Sequence, residues 1–169
     1  MSVAGNGPVK RFAVDVMLGG LAKWLRVLGF DTRATNLSER ARIEEAVSEG
    51  LVPVTRREKF REMEGVLFIG SDHHFEQLKE VISRLRLDRE DFGIFTRCTI
   101  CNARLDPITR EAAFGGVPDY VYETATDFRK CPECGRIYWP GSHKGRMLAK
   151  LASITEWDPR EEEAMNGRE

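Results

Sequence analysis

The sequence predicts an α/β fold, a three-layer parallel sheet with helices on both faces, followed by a small β module built around paired cysteines. Strand-like and helix-like segments alternate between Arg11 and Leu87. Among the strand segments, Val66 to Gly70 (VLFIG) carries almost no polar relief, as a strand covered on both faces does. Two Cys-x-x-C pairs, Cys98 with Cys101 and Cys131 with Cys134, then punctuate the rest of the chain.

Met1 to Lys10, with Gly5, Gly7 and Pro8, reads as a flexible tail. Arg11 to Val16 (RFAVDV) reads as a short buried strand ending close to the acid Asp15. Leu18 to Leu28 has helical spacing, with Leu18, Leu21, Ala22, Leu25 and Leu28 on one stripe. Gly29 stands where a helix-ending glycine belongs. Asp31 to Thr35 returns to an extended pattern, and Asn36 or Ser38 can cap a second helix that runs to Ser48 and stops at Glu49-Gly50. Leu51 to Thr55 (LVPVT) is the next strand, although Pro53 lacks an amide hydrogen and is awkward at a sheet centre.

Arg56 to Glu64 is polar and reads as a short helix, and Val66 to Gly70 (VLFIG) as a further apolar strand. Phe75 to Leu87 forms an amphipathic helix with Leu78, Val81, Ile82 and Leu85 inward. This alternation implies right-handed βαβ crossovers. After Asp91 the texture shifts to cysteines, turn residues and short β-like pieces such as Tyr120 to Glu123, then a helix over Arg146 to Ile154. The expected organisation is a tail over 1–10, an α/β domain over 11–91, a metal-binding ribbon with a closing helix over 92–155, and a disordered acidic tail over 156–169.

Composition narrows the function. With 26 basic against 27 acidic residues, a globally basic nucleic-acid binder is not indicated, so any phosphate-binding face must be local. No apolar run approaches the ~20 residues that cross a bilayer. Met1 to Pro8 lacks a signal-peptide pattern, so a soluble, cytoplasmic protein without membrane contact is expected. In a reducing compartment four cysteines suit a metal better than disulfides.

Each Cys-x-x-C turn sets two thiolates on one side of an ion, and two such turns complete a closed tetrahedral zinc site from Cys98, Cys101, Cys131 and Cys134. Pro132 and Gly135 give the second pair the chemistry of a tight turn, and Phe114-Gly115-Gly116-Val117-Pro118 supplies the turn for the long segment between the pairs. Redox motifs are the competing reading, but these usually occur singly, at a helix start after a strand.

The run Phe12, Asp15, Met17-Leu18-Gly19, Leu21-Ala22-Lys23-Trp24-Leu25-Arg26, Leu28-Gly29 and Asp31 resembles the opening of the Mut-seven C-terminal RNase family. Val54-Thr55-Arg56 fits as well, as do Ser71-Asp72 with Glu76-Gln77-Leu78, and Tyr138-Trp139 to Gly141-Ser142-His143 with Arg146-Met147. The resemblance runs from Phe12 to Leu151. It implies a PIN-like RNase domain with a C-terminal zinc ribbon, and so a metal-dependent endoribonuclease that hydrolyses RNA phosphodiesters. Structural Zn and catalytic Mg or Mn are the implied cofactors. Carboxylates suit such hard cations, which activate water and screen the leaving oxygen. By this resemblance Asp15 and Asp72 fall on Mg/Mn-binding positions, and Glu39 on the family's helical acid.

The chain departs from the family pattern where aspartate commonly follows Thr-Arg, because it has Arg57 there. A cation cannot ligate a metal. Glu58, one residue on, is a candidate substitute in the catalytic set Asp15, Glu39, Asp72 and Glu58. Alternatively the protein is a catalytically degenerate RNA-binding relative. Arg26, Arg56, Arg57, Lys130, His143 and Arg146 are the candidate RNA contacts, with Tyr138 and Trp139 as possible stacking surfaces for unpaired bases. Arg33, Arg129, Arg136 and Lys144 add to the basic inventory. A more remote reading makes the ribbon a docking module for a protein partner.

Overall fold

Residues 9–155 are described by a computed structural model. Residues 1–8 and the acidic tail over 156–169 lie outside the described residues. The chain divides into two compact units after Asn102.

In the first unit, β1 (Arg11–Asp15), β2 (Asp31–Thr35), β3 (Val52–Thr55) and β4 (Leu67–Phe68) form a fully parallel sheet in the order β2-β1-β3-β4. Helices α1 (Gly19–Val27), α2 (Arg40–Ser48) and α3 (His74–Leu85) flank it. The chain steps from β1 to β2 in one direction and returns past β1 to β3. Right-handed crossovers therefore send α1 and α2 to opposite faces. The packing agrees: Ala46 of α2 sits with Ala13 of β1 and Leu51, and Ile43 with Leu37 and Phe60. Trp24 of α1 instead meets Phe75 of α3, with ring centroids 5.0 Å apart.

Local chemistry accounts for the element ends. Gly29 has φ +93°, and a Cβ there would lie 2.1 Å from the Gly93 carbonyl oxygen, so only glycine closes α1 against the chain that returns over it. Pro53 does sit in a central strand, opposite Ala13. It is tolerated because β4 pairs only with Val54 and Thr55, which leaves the proline a neighbour on the β1 side alone. The expected helix over Arg56 to Glu64 shrinks to a single 3-10 turn, Glu58–Phe60.

The second unit carries an antiparallel sheet of β5 (Asp106–Ile108), β6 (Phe128–Lys130) and β7 (Ile137–Tyr138). Helices α4 (Arg110–Ala113), α5 (Asp119–Thr124) and α6 (Ser142–Ala152) complete it. Tyr120 to Glu123, expected as a β-like piece, is helical. The Pro118 carbonyl accepts from the Val121 and Tyr122 amides, and Val121 and Ala125, one turn apart, enter a core with Ala113 and Phe128. Burial of that pair overrides the β-preference of the tyrosines and valine.

Strand β2 is an edge, and its first residue is tied down. Asp31 accepts from Arg11 Nε at 3.0 Å and from Asn102 Nδ2 at 2.7 Å. Burial alone would raise this carboxyl, but the hydrogen bonds from Asn102 and Arg11 and the charges of Arg97 and Arg11 outweigh it, leaving it below the ordinary aspartate range. Its contribution to stability is complete above the unfolded aspartate value of about 4 and is lost as the pH falls through the lower folded value. Acid unfolding of Asp31→Asn, followed by circular dichroism, is accordingly expected to show a shallower loss of stability below about pH 4. An unaltered acid profile would deny Asp31 this role.

Candidate functional site

Two constellations stand out, one of sulfur and one of charge. In the first, Cys98 and Cys131 are buried while Cys101 and Cys134 are partly or fully exposed. The four sulfurs lie within 4.8 Å of one another. Sulfurs bound ~2.3 Å from one tetrahedral ion are themselves roughly 3.8 Å apart, so this cluster fits zinc with little adjustment.

The two turns share one construction. The Cys101 amide approaches Cys98 Sγ at 3.3 Å, and the Cys134 amide approaches Cys131 Sγ at 3.5 Å. The residue four beyond each first cysteine then closes its turn in the left-handed region: Asn102 with φ 67° and Gly135 with φ 72°. Each donates its amide to the first cysteine's carbonyl. Such amides help stabilise thiolates. Gly135 was legible in the sequence as a turn residue. Asn102 was passed over, although asparagine is the non-glycine residue that best tolerates this backbone.

The second constellation lies where the chain reverses direction across the sheet. β1 and β3 lead away to opposite sides, so their C-terminal ends flank the crevice in which open α/β sheets place their ligands. Asp15 ends β1 and is wholly buried. Its carboxylate accepts from Thr55 Oγ1 and Arg57 Nε, both at 2.8 Å, and more loosely from Arg57 Nη2 at 3.4 Å and the Leu37 amide at 3.5 Å. The Arg57 amide donates to Thr55 Oγ1 at 3.2 Å, and Nη2 also reaches Asn36 Oδ1 at 3.4 Å. Arg57 is thus a buried carboxylate's counter-ion, gripping both of its oxygens.

The other acids named from the sequence have partners or positions of their own. Asp72 pairs with Arg56, and its side chain is 90 % exposed. Its loop is held by buried Gln77, which donates to the Ser71 and Asp72 carbonyls, and by Glu80, which accepts from the Gly70 and Ser71 amides. Glu58 accepts from Arg61 Nε and Nη2 at 2.8 and 2.6 Å, and this hydrogen-bonded partner lowers its carboxyl. Glu39 stands exposed at the N-cap of α2 without a side-chain cap bond. Among the described residues these acids do not form a group of three or more that could share an ion, as the cysteines do. The donor set around Asp15 therefore does not fit a hard divalent cation while Arg57 stays in place.

The candidate RNA contacts split into two classes. Arg26, Arg56 and Arg57 are spent on protein acceptors: Arg26 on the Thr32, Thr99 and Ile100 carbonyls, Arg56 on Asp72, and Arg57 on Asp15. Lys130, His143 and Arg146 are exposed in the second unit, as is Arg136. Trp139 packs against the core of Ala113, Val121, Ala125 and Phe128.

Among the described residues, no helix is long and apolar enough to cross a membrane. Comparison with known families gives one finding: residues 10–151 match the model described as the Mut7-C RNAse domain. Neither a curated protein nor a solved structure matches the chain.

Proposed function

We infer the function from a plain premise: this chain belongs to the Mut7-C RNase domain family. That membership makes it a nuclease-type domain and RNA its natural ligand, and four cysteines close enough to share a metal go with it. Beyond this, we propose that the protein binds RNA without hydrolysing it, and that zinc held by Cys98, Cys101, Cys131 and Cys134 is structural. Closed four-thiolate zinc leaves no open position for substrate, so the ion would supply folding energy, not chemistry.

The observation that carries this reading is the Arg57–Asp15 pair. A guanidinium donates to the carboxylate at 2.8 Å and occupies the ground on which a divalent cation would have to stand. Like-charge repulsion and loss of the acceptor oxygens both oppose a metal there. Binding then rests on exposed cations such as Lys130, Arg136 and Arg146, which fit RNA phosphates through charge, with exposed His143 as a further hydrogen-bonding group.

Single-stranded RNA binding is accordingly expected to weaken steeply with salt, with the slope of log K against log[salt] falling by about 0.7 for each phosphate contact removed. Lys130→Gln and Arg146→Gln should each lower that slope in a fluorescence-anisotropy titration, while Asp15→Asn leaves affinity unchanged. RNA binding that ignores both salt and these cations would defeat the proposal.

A second reading, Mg- or Mn-dependent hydrolysis of RNA phosphodiesters, is favoured by the family and by the place of Asp15 at the reversal point of the sheet. It requires Arg57, whose side chain is 28 % exposed, to leave the carboxylate. Mn-dependent cleavage by the native chain, abolished in Asp15→Asn, would decide for it.

A further inference from the structure

Thr32 lies on the edge strand β2, and both of its peptide groups are taken by side chains. Its amide donates to Asn102 Oδ1 at 2.9 Å, and its carbonyl accepts from Arg26 Nε at 3.0 Å. Neither partner belongs to another strand. Asn102 closes the first cysteine turn, and Arg26 reaches that same turn with its other arm: Nη1 donates to the Thr99 and Ile100 carbonyls at 3.0 and 2.9 Å. Those are the two residues between Cys98 and Cys101. Arg97 adds a third stitch, donating to the Gly29 and Asn102 carbonyls at 3.0 and 2.8 Å. The first cysteine turn is therefore bound into the parallel-sheet unit and covers its open edge.

We propose that Arg26 is a positioning residue for the first thiolate pair, and that through Arg26 and Asn102 zinc occupancy is coupled to strand β2. Four thiolates around one Zn²⁺ carry a net charge of −2. A guanidinium held against the peptide between two of them offsets part of that charge and fixes the turn in its ligating shape. Burial lowers the arginine's affinity for its proton, and the nearby Cys98 and Cys101 sulfurs and Asp31 act in the opposite sense. Arginine remains charged in any case. Lysine would keep the charge but not the fork, which spans three carbonyls on two segments. This role differs from an RNA contact. It rests on the zinc reading of the cysteine cluster.

The test uses the full chain as purified. Zinc affinity is measured by competition with a chromophoric chelator, and thiolate ligation by the charge-transfer absorption of the Co²⁺-substituted protein. Arg26→Gln is expected to weaken zinc binding by about 10–100-fold, as loss of a supporting partner around a metal site does. Arg26→Lys should recover part of that loss. In the native chain, zinc removal should strip hydrogen-exchange protection from the Thr32 amide while the β1 amides of Phe12 and Val14 keep theirs. Asn102→Gly keeps the left-handed turn but removes the side chain, and should expose the Thr32 amide even with zinc bound.

Unchanged zinc affinity in Arg26→Gln, or a Thr32 amide indifferent to zinc, would overturn the coupling while leaving the zinc site intact. A chain that takes up neither Zn²⁺ nor Co²⁺ would overturn both. Should Arg26→Gln fail to fold, the exchange experiment on the native chain still decides.

Discussion

Replacing Arg57 by aspartate should convert a protein indifferent to Mn²⁺ into one that Mn²⁺ stabilises. In the native chain the Asp15 carboxylate, wholly buried, is neutralised by a guanidinium at 2.8 Å. Arg57→Asp removes that partner and sets a second carboxylate beside the first. Without metal the variant should lose stability, since breaking a buried ion pair by deleting one partner costs up to about 3–5 kcal/mol. The partial exposure of Arg57 places the expected loss at the lower end of that range. With Mn²⁺ at a hundred times its dissociation constant, about 2.7 kcal/mol should return. Thermal melts with and without Mn²⁺ read this directly. RNA cleavage should rise at least about tenfold over the native chain under the same conditions, a difference worth roughly 1.4 kcal/mol of barrier. Native protein, by contrast, should melt at one temperature whatever the Mn²⁺ concentration.

The second large effect concerns sulfur. Structural zinc in sites of this kind contributes on the order of 10 kcal/mol of folding free energy. A whole domain's net stability is about 5–15 kcal/mol, so little would remain without the ion. In the second unit three short strands accompany a small core of Ala113, Val121, Ala125 and Phe128. Chelation, or Cys131→Ser, should therefore unfold residues 103–155, seen as collapse of their amide dispersion in a ¹⁵N correlation spectrum. Stoichiometric zinc should be released as this happens. A second unit that keeps its spectrum after complete chelation would remove zinc from the folding of this protein.

Much of the fold is written in periodicity. The apolar stripe of Leu21, Ala22 and Leu25, the stop at Gly29 and the run VLFIG each follow from local rules, and each matches an element of the sheet unit. The strand order is less legible, because it depends on which neighbour each crossover selects. Pro53 illustrates the limit. Its chemistry argues for an edge, yet a short β4 that begins pairing only at Val54 makes a central position tolerable. Tyr120 to Glu123 failed for a different reason: a two-turn helix is decided by what Val121 and Ala125 bury, and six residues carry too little period to say so.

The candidate site shows the same division. The cysteine cluster was legible because two turns of fixed spacing leave few alternatives. Arg57 was legible as a misfit, but not as the partner of Asp15, because that pairing joins the end of β1 to the segment that follows β3, 42 residues on. Arg26 reads in sequence as one more exposed cation, and only the fold shows its fork spent on Thr32, Thr99 and Ile100.

Anomalous diffraction from crystals soaked in Mn²⁺ tests the place of Arg57 most directly. The native chain should show the Asp15 carboxylate still clasped by the guanidinium and no manganese peak beside it, whereas Arg57→Asp crystals should carry one. A manganese ion between Asp15 and Asp72 in the native crystal, with Arg57 turned away, would contradict the ion-pair reading and restore a hydrolytic site.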